Sequence, residues 1–367
     1  MLSFAVGFIV SLLATLFIVR YAHLHGAFSI DHDLEGVQKF HARPVPRIGG
    51  VGILIGLICA TAVVAYHYPA VAGSILGLAA CGMPAFASGL IEDLTKKVSP
   101  RTRLLATMAA AGLAFALPHV AITRISVPPL DFLLSYVAVS FVITVLAVAA
   151  LANAVNIIDG FNGLASMVAF MMSASLAYVA FQVGDPVVLS ASLIMMGAIM
   201  GFFLWNFPAG LIFLGDGGAY FLGFMLGELS ILLVMRHREV SAWYPILLFM
   251  YPIFETCFSI YRKKFVRGMS PGIPDGVHLH MLVYKRLMRW AVGTRAAHEL
   301  TRRNSLTSPY LWLLCLIAVI PATLWWRHTI HLFAFVVVFA ATYVWLYVSI
   351  VRFRSPRWLI VRRNVKR

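Results

Sequence analysis

Charged residues are scarce in this chain of 367 residues, and acidic residues are scarcer than basic ones. Asp and Glu number only 14, all charged residues make up 12% of the composition, and 61% is hydrophobic, with a mean hydropathy of +0.88. A typical soluble domain has about 25% charged residues. The composition therefore argues against a soluble protein and predicts an all-α, polytopic membrane protein.

Cysteine is also rare, which limits the metal and redox chemistry that the chain could carry. The four copies, Cys59, Cys81, Cys257 and Cys315, lie in apolar runs without CxxC spacing, so neither a disulfide framework nor a zinc site is predicted. The sequence has no nucleic-acid motif and no internal repeat. Its start lacks the basic segment of a cleavable signal peptide, so we interpret the first apolar run as a helix.

Eleven apolar runs reach the length of about 17 to 25 residues that crosses a bilayer. They cover residues 2–19, 48–66, 73–91, 104–122, 132–152, 164–182, 187–205, 217–235, 242–261, 308–325 and 331–351. Arg20 directly follows the first run, and no basic residue precedes it. The positive-inside rule then predicts an external N-terminus and a cytoplasmic C-terminus.

The distribution of basic residues supports this topology, since segments 20–47, 92–103, 262–307 and 352–367 hold 25 of the 29 Lys and Arg. We predict one transmembrane catalytic domain over residues 1–351 and a basic cytoplasmic tail over 352–367. The predicted cytoplasmic loops are 20–47, 92–103, 153–163, 206–216 and 262–307.

The most polar interruption of the apolar pattern runs from residue 153 to residue 163 and reads Asn-Ala-Val-Asn-Ile-Ile-Asp-Gly-Phe-Asn-Gly. A carboxylate without water or a partner costs about 2 to 4 kcal/mol at the centre of a bilayer. One interhelical hydrogen bond would account for one Asn, but not for three together with an Asp. The candidate site residues in this stretch are Asn153, Asn156, Asp159 and Asn162.

Two further acidic groups lie at predicted helix ends on the same side. Glu92 and Asp93 end the third span, where the helix macrodipole opposes negative charge, so cations must lie nearby; a surface ion-pair cluster is the simpler alternative. Asp216 begins a later helix within Gly-Asp-Gly-Gly, whose exposed N–H groups suit phosphate. An ordinary N-cap carboxylate is the alternative for Asp216.

Basic and histidine side chains accompany these carboxylates. The basic loops supply Lys39, Arg43, Arg101 and Arg103 as candidate substrate-binding residues. His278 and His280 are two residues apart, so on a strand or loop they point to the same side. No third or fourth ligand is spaced nearby, which disfavours zinc and favours hydrogen bonds from the imidazoles to phosphate or sugar hydroxyls.

The acidic clusters, with Glu255 as an exception inside the ninth span, fall at inner helix ends. This placement indicates an inner-face active site, because transporters tend to place ionisable groups near the midplane. Carboxylates with amides and basic residues suit a reaction between two phosphates with Mg²⁺, which takes one or two carboxylates plus phosphate oxygens. The bilayer implies that one substrate is a lipid phosphate. A transporter or lipid flippase without phosphotransfer chemistry remains the alternative.

The order of these motifs along the chain resembles a known family. The motifs are Arg43-Pro-Val-Pro-Arg-Ile-Gly-Gly50, Glu92-Asp93, Asn153-Ala-Val-Asn-Ile-Ile-Asp-Gly160, Phe213-Leu-Gly-Asp216, Met269-Ser-Pro271 and His278-Leu-His280. Over nearly its whole length the chain resembles the polyprenyl-phosphate N-acetylhexosamine-1-phosphate transferases, the group that includes phospho-N-acetylmuramoyl-pentapeptide translocase.

The resemblance implies a multi-pass enzyme of the bacterial inner membrane whose active site faces the cytoplasm. Such an enzyme transfers a sugar-1-phosphate from a UDP-sugar to undecaprenyl phosphate, releases UMP and starts a lipid-linked surface glycan such as O-antigen. The partners implied are these two substrates and membrane lipids, without nucleic acid and with a homodimer left open. The implied cofactor is Mg²⁺, with Mn²⁺ as a substitute.

The resemblance also assigns roles to individual residues. Asp216 matches the magnesium ligand and Asp159 the essential catalytic carboxylate. Glu92 and Asp93 match an acidic pair that deprotonates or positions the lipid phosphate. The positions that match nucleoside and sugar contacts are Asn206, Phe213, His278 and His280.

Three positions depart from the family pattern. Glu92 stands in place of Asp, which lengthens the side chain but keeps its charge. Asn162 replaces an Asp of the translocase branch and argues against a role in peptidoglycan synthesis. Met281 replaces a third His and leaves the sugar open between an N-acetylhexosamine, such as N-acetylglucosamine, and a deoxy-N-acetyl sugar. Asp159 and Asp216 argue against a scaffold that has lost catalysis.

Overall fold

The computed structural model describes residues 1–31, 44–117, 119–270, 276–288 and 297–354, and within them the fold is helical. The helices are α1 (Leu2–Arg20), α2 (Ala22–Ser29), α3 (Gly49–His67), α4 (Pro69–Cys81), α5 (Met83–Thr95), α6 (Pro100–Ala116), α7 (Pro128–Leu134), α8 (Val137–Ile158), α9 (Leu164–Val183), α10 (Pro186–Asn206), α11 (Gly215–Arg236), α12 (Trp243–Leu248), α13 (Met250–Tyr261), α14 (Leu279–Leu282), α15 (Ala297–Leu324) and α16 (Thr329–Val351). Two π-helical turns follow α13 and α14, at Arg262–Val266 and Val283–Leu287. The two-residue strands β1 (Ile30–Asp31) and β2 (Val45–Pro46) pair antiparallel. The predicted all-α class is confirmed.

Eight of the described helices have the length and apolar composition of a membrane span, namely α1, α3, α8, α9, α10, α11, α15 and α16. The helices α4 and α5 together pass the same test but meet at a bend of 47°, which makes nine if the pair is one span. The remaining predicted spans coincide with α6, which is 17 residues long, and with the broken pair α12 and α13. The multi-pass architecture is confirmed, and the count of eleven crossings stays a prediction.

Several predicted boundaries differ from the structure; the tenth span, for example, was predicted to begin at residue 308, whereas α15 begins at Ala297. The span predicted to end at residue 122 corresponds to α6, which ends at Ala116. Pro118 has no backbone N–H with which to continue the helical hydrogen bonds. The loop predicted to begin at Asn153 begins later, because α8 continues to Ile158. Within this helix the Asn153 amide donates to the Ala149 carbonyl oxygen at 2.8 Å, one turn back, so the polar side chain is satisfied without leaving the helix.

The helix α11 forms the centre of the bundle, with 94% of its most apolar window buried, against 17% for α1. Its glycine-rich start allows neighbouring backbones to approach closely. A Cβ on Gly50 of α3 would lie 2.4 Å from the Gly218 Cα, and a Cβ on Gly89 of α5 would lie 2.4 Å from the Gly217 nitrogen. The Gly49-Gly50 pair therefore lets α3 begin close to the start of α11.

Backbone hydrogen bonds fix the segment before α3 against the segment before α11. The Phe213 N–H donates to the Pro46 carbonyl oxygen at 2.8 Å, and the Gly49 N–H donates to the Phe213 carbonyl oxygen at 3.0 Å. These bonds bring Arg47 beside the N-terminus of α11.

Candidate active site

The N-terminus of α11 is held by a carboxylate from α5. Asp93 is 2% exposed, and its two oxygens accept the backbone N–H groups of Asp216 and Gly217, each at 3.0 Å. These are helix N-terminal N–H groups, which have no intrahelical partner, and a carboxylate there also meets the positive end of the macrodipole. Asp93 thus fixes the backbone that carries Asp216.

Gly215 makes this junction sterically feasible. Its φ is +79°, a left-handed conformation that side chains rarely adopt, and a Cβ there would lie 1.9 Å from the Arg47 carbonyl oxygen. Only glycine fits both conditions, so the residue before Asp216 is set by conformation and close contact.

Two arginines face the Asp216 carboxylate. Arg103, from the first turn of α6, pairs with Oδ2, and the Arg47 Nη2 lies 3.5 Å from Oδ1. The Arg47 Nε also lies 3.7 Å from Asp93. The Arg103 Nε is buried and has no hydrogen-bond partner among the described residues. Donors of this kind could bind phosphate oxygens beside Asp216.

Asp159 lies directly after α8, on the same side of the molecule. Its pKa is raised from the usual 3.8 to about 7, mainly by burial; Arg47 lowers it, and the nearby Asp216 and Asp93 raise it. Because all of these charges act on one carboxyl group, Asp159 would respond strongly to a bound cation.

His278 and His280 lie in the lining of the same cavity as Asp159. Their rings are parallel, with centroids 5.3 Å apart and an interplanar angle of 3°. The His280 ring also packs edge-on against Phe161, two residues after Asp159. Burial lowers the pKa of His280 to about 3, where Glu255 opposes the shift and His278 adds to it, so the ring is neutral at physiological pH.

One cavity of about 370 Å³ collects these groups. Its lining comprises Arg47, Glu92, Arg103, Asn156, Ile157, Asp159, Gly160, Phe161, Asn206, Phe213, Gly215, Asp216, Tyr220, His278, His280, Met281 and Asn304. We call Glu92, Asp159 and Asp216 the carboxylate wall, and His278 with His280 the histidine wall. Nine of the predicted site residues line the cavity: Glu92, Arg103, Asn156, Asp159, Asn206, Phe213, Asp216, His278 and His280.

Other predicted site residues lie elsewhere. The Asn153 amide binds within α8 and lies 3.4 Å from the Thr107 hydroxyl of α6. Asn162 is 4% exposed, and its amide nitrogen donates to Pro208 and Ser305. Arg101 is exposed, and Asp93 lies behind Asp216 as described above. Lys39 and Arg43 lie outside the described residues, as do Pro271 and most of the predicted basic tail.

Eight lining residues were not predicted as site residues, and Arg47, Phe161, Tyr220 and Asn304 are among them. Arg47 lay within a recognised motif, yet its charge looked like that of any other basic loop residue. The Asn304 side chain accepts from the Asn162 backbone N–H at 2.8 Å, which joins α15 to the loop after α8. A contact between residues so distant in the chain has no local sequence signal.

The donor groups at the cavity fit a magnesium ion better than a softer metal. In the described part of the chain no three side chains of His, Cys, Asp or Glu form a complete metal cage. Mg²⁺ is commonly bound by one or two carboxylates, retained waters and substrate phosphates. Asp216 and Asp159 could supply those carboxylates, and the adjacent arginines could bind the same phosphates.

Comparison with known proteins identifies the family. Residues 75–234 match glycosyl transferase family 4. A protein named "Probable undecaprenyl-phosphate N-acetylglucosaminyl 1-phosphate transferase" from Bacillus subtilis (strain 168) is 29% identical over 304 residues, or 80% of each chain. The undecaprenyl-phosphate alpha-N-acetylglucosaminyl 1-phosphate transferase of Thermotoga maritima is 28% identical over 260 residues, or 70% of this chain and 74% of the relative.

A third relative is similar over a shorter region. The phospho-N-acetylmuramoyl-pentapeptide-transferase of Streptococcus thermophilus (strain CNRZ 1066) is 28% identical over 212 residues, or 54% of this chain and 62% of the relative. The family match contains the whole carboxylate wall, and the relatives named above extend the similarity over as much as four fifths of the chain. The chain therefore belongs to glycosyl transferase family 4, among the polyprenyl-phosphate N-acetylhexosamine-1-phosphate transferases.

Proposed function

We propose that the protein transfers N-acetylhexosamine-1-phosphate from a UDP-sugar to undecaprenyl phosphate, releases UMP and so starts a lipid-linked surface glycan. The observation that carries this proposal is the convergence of Glu92, Asp159 and Asp216 with Arg47 and Arg103 on one cavity. The names of the relatives supply the reaction class. A deoxy-N-acetyl sugar is the alternative donor, because the cavity wall carries Met281 where the family pattern has a third His.

In the proposed reaction, a phosphate oxygen of the lipid attacks the sugar-linked phosphorus of the UDP-sugar. The bond from that phosphorus to the bridging oxygen breaks, and UMP leaves with the oxygen. Arg47 and Arg103 hold the phosphate oxygens and share the charge that develops on them. Bound Mg²⁺, held by Asp216 and Asp159, would neutralise charge on the donor pyrophosphate.

The acidic pair divides its roles in this proposal. Asp93 is occupied by the N-terminus of α11 and positions Asp216. Glu92 lines the cavity, so it is the member that can position the lipid phosphate or accept its proton. We favour direct attack by the lipid phosphate over a covalent intermediate on Asp159, because direct attack needs only proximity, charge neutralisation and a base.

We assign the site to the cytoplasmic side of a bacterial inner membrane. The ends of α5 and α6 at the cavity adjoin the basic segment 92–103, and Arg47 of the basic segment 20–47 lies beside the start of α11. The positive-inside rule places such segments in the cytoplasm. UDP-sugars are cytoplasmic, which agrees with this orientation. A homodimer remains a prediction.

The test is UMP release by the purified protein with undecaprenyl phosphate, Mg²⁺ and a panel of UDP-sugars, each with and without the lipid. We expect lipid-dependent UMP from one donor, with Mn²⁺ substituting for Mg²⁺. UMP release at the same rate with and without the lipid would contradict undecaprenyl phosphate as the acceptor. Movement of a lipid or solute across vesicles without UMP release would instead support the transporter alternative.

A further inference from the structure

Glu255 of α13 is a buried glutamate whose carboxylate touches the histidine wall from behind. It is fully buried, and three groups lie within hydrogen-bond distance of its carboxylate. The His278 Nδ1 lies 2.9 Å from Oε1, the Leu279 backbone N–H donates to the same oxygen at 3.1 Å, and the Tyr343 hydroxyl donates to Oε2 at 2.8 Å. Donors on both oxygens match an ionised carboxylate, which can only accept.

This arrangement determines which nitrogen of His278 carries a proton. The Leu279 N–H is a fixed donor and marks Oε1 as an acceptor, so the His278 Nδ1 at the same oxygen must also donate. In the neutral ring the lone pair then lies on Nε2, the nitrogen that Glu255 leaves for the cavity that His278 lines. A carboxylate that fixes a histidine tautomer in this way also restrains the ring and raises its basicity.

We propose that Glu255 is a positioning residue for the transfer reaction, holding His278 with Nδ1 protonated so that Nε2 meets the UDP-sugar. The proposal rests on the proposed function for its substrate, but the tautomer is a property of the protein alone. Glu255 does not line the cavity, so it acts through His278.

The elements around Glu255 restrain the same histidine. Arg262, which follows α13, donates from Nη1 to the Val277 carbonyl oxygen at 2.9 Å and to the Tyr347 hydroxyl at 2.8 Å. Tyr347 lies one turn after Tyr343 on α16. The helices α13 and α16 thus hold the backbone immediately before His278 as well as its ring.

The chain offers a matched control in Glu228 of α11. It is also fully buried in an apolar helix, but neither of its carboxylate oxygens has a hydrogen-bond partner within the described residues. A change from Glu to Gln at this position alters the same chemical group in a similar apolar setting without touching the histidine wall.

The kinetic test uses Glu255→Gln, His278→Gln, the double variant and Glu228→Gln in the UMP-release assay. We expect Glu255→Gln to lower kcat about 10- to 100-fold, Glu228→Gln to match the wild type, and the double variant to equal His278→Gln. Losses that multiply in the double variant, or a Glu255→Gln enzyme as fast as the wild type, would overturn the proposal. If Glu255 acted on the structure independently of His278, the double variant would have a lower kcat than His278→Gln alone.

A second test needs no activity. Nitrogen-15 NMR of histidine-labelled protein, with His278→Gln used to identify the signal, reports the tautomer directly. We expect Nδ1–H for His278 in the wild type and a larger Nε2–H population in Glu255→Gln. Nε2–H in the wild type would overturn the inference, even if the transferase activity is established. The expected tautomer in an inactive protein would uphold the Glu255 contact and count against the proposed function alone.

Discussion

The two walls of the cavity differ in the partners that their polar side chains have. The carboxylate wall brings negative groups together and faces them with Arg47 and Arg103. The histidine wall contains a buried ring, His280, with no hydrogen-bond partner on either nitrogen among the described residues. Burial favours the neutral form in both places, raising the pKa of Asp159 and lowering that of His280.

The difference indicates a division of labour. The carboxylate wall gains from a bound cation, because the cation reverses the effect of burial that raises the pKa of Asp159. A neutral imidazole can donate from one nitrogen and accept at the other, which suits the hydroxyl and amide groups of a sugar. The walls therefore match the two ends of the proposed donor, pyrophosphate and sugar.

The largest effect is expected for Asp216→Asn, which should abolish the metal response of the carboxylate wall. We expect turnover to fall by about 10³-fold, because the amide keeps the shape of the side chain but loses the charge that faces Arg103 and the proposed metal. The measurement is UMP release across a Mg²⁺ titration, with a check that the variant still inserts in the membrane. Turnover with unchanged Mg²⁺ dependence would remove Asp216 as the metal ligand.

A smaller effect is expected for Arg103→Gln, and Arg101→Gln is its matched control. Arg103 pairs with Asp216 at the cavity, so its loss should lower kcat/KM about 10²-fold. Arg101 is exposed on the same helical turn and should change activity by less than about twofold. Equal losses in the two variants would mean that general positive charge, and not the contact with Asp216, determines activity.

This pair of arginines also shows what the sequence could predict. The sequence indicated both of them, because polar residues at the ends of apolar runs reveal a site in a membrane protein. It could not choose between them, since the choice depends on the rotation of α6 about its axis. Neighbours two apart on a helix point in nearly opposite directions, and Ser99 fixes the start of α6 by accepting the Thr102 N–H.

The sequence also could not show which of the predicted asparagine side chains line the cavity. Asn153, Asn156 and Asn162 gave one polar signal in the sequence, yet only Asn156 lines the cavity. Asn162 instead joins the loop after α8 to Pro208 and α15. Polar composition predicts that a buried group needs a partner, but the partner is decided by helices far away in the chain.

The smallest effects concern stability, where the two walls should respond to pH with opposite signs. His280 has a folded-state pKa of about 3, below the usual 6.5, so the unfolded chain binds more protons between these values and stability should fall on acidification. Asp159 has a folded-state pKa of about 7, above 3.8. The folded chain therefore binds more protons between these values, and stability should fall as the pH rises.

Thermal unfolding in EDTA at pH 5 and pH 7.5 separates the two contributions. Relative to the wild type, His280→Gln should lose a contribution that favours pH 7.5, and Asp159→Asn should lose one that favours pH 5, each shifting Tm by a few degrees. Mg²⁺ should diminish the Asp159 contribution, because a bound cation stabilises the carboxylate, and should leave the His280 contribution unchanged. If both variants changed the pH dependence of Tm in the same direction, the opposite pKa shifts of His280 and Asp159 would be contradicted.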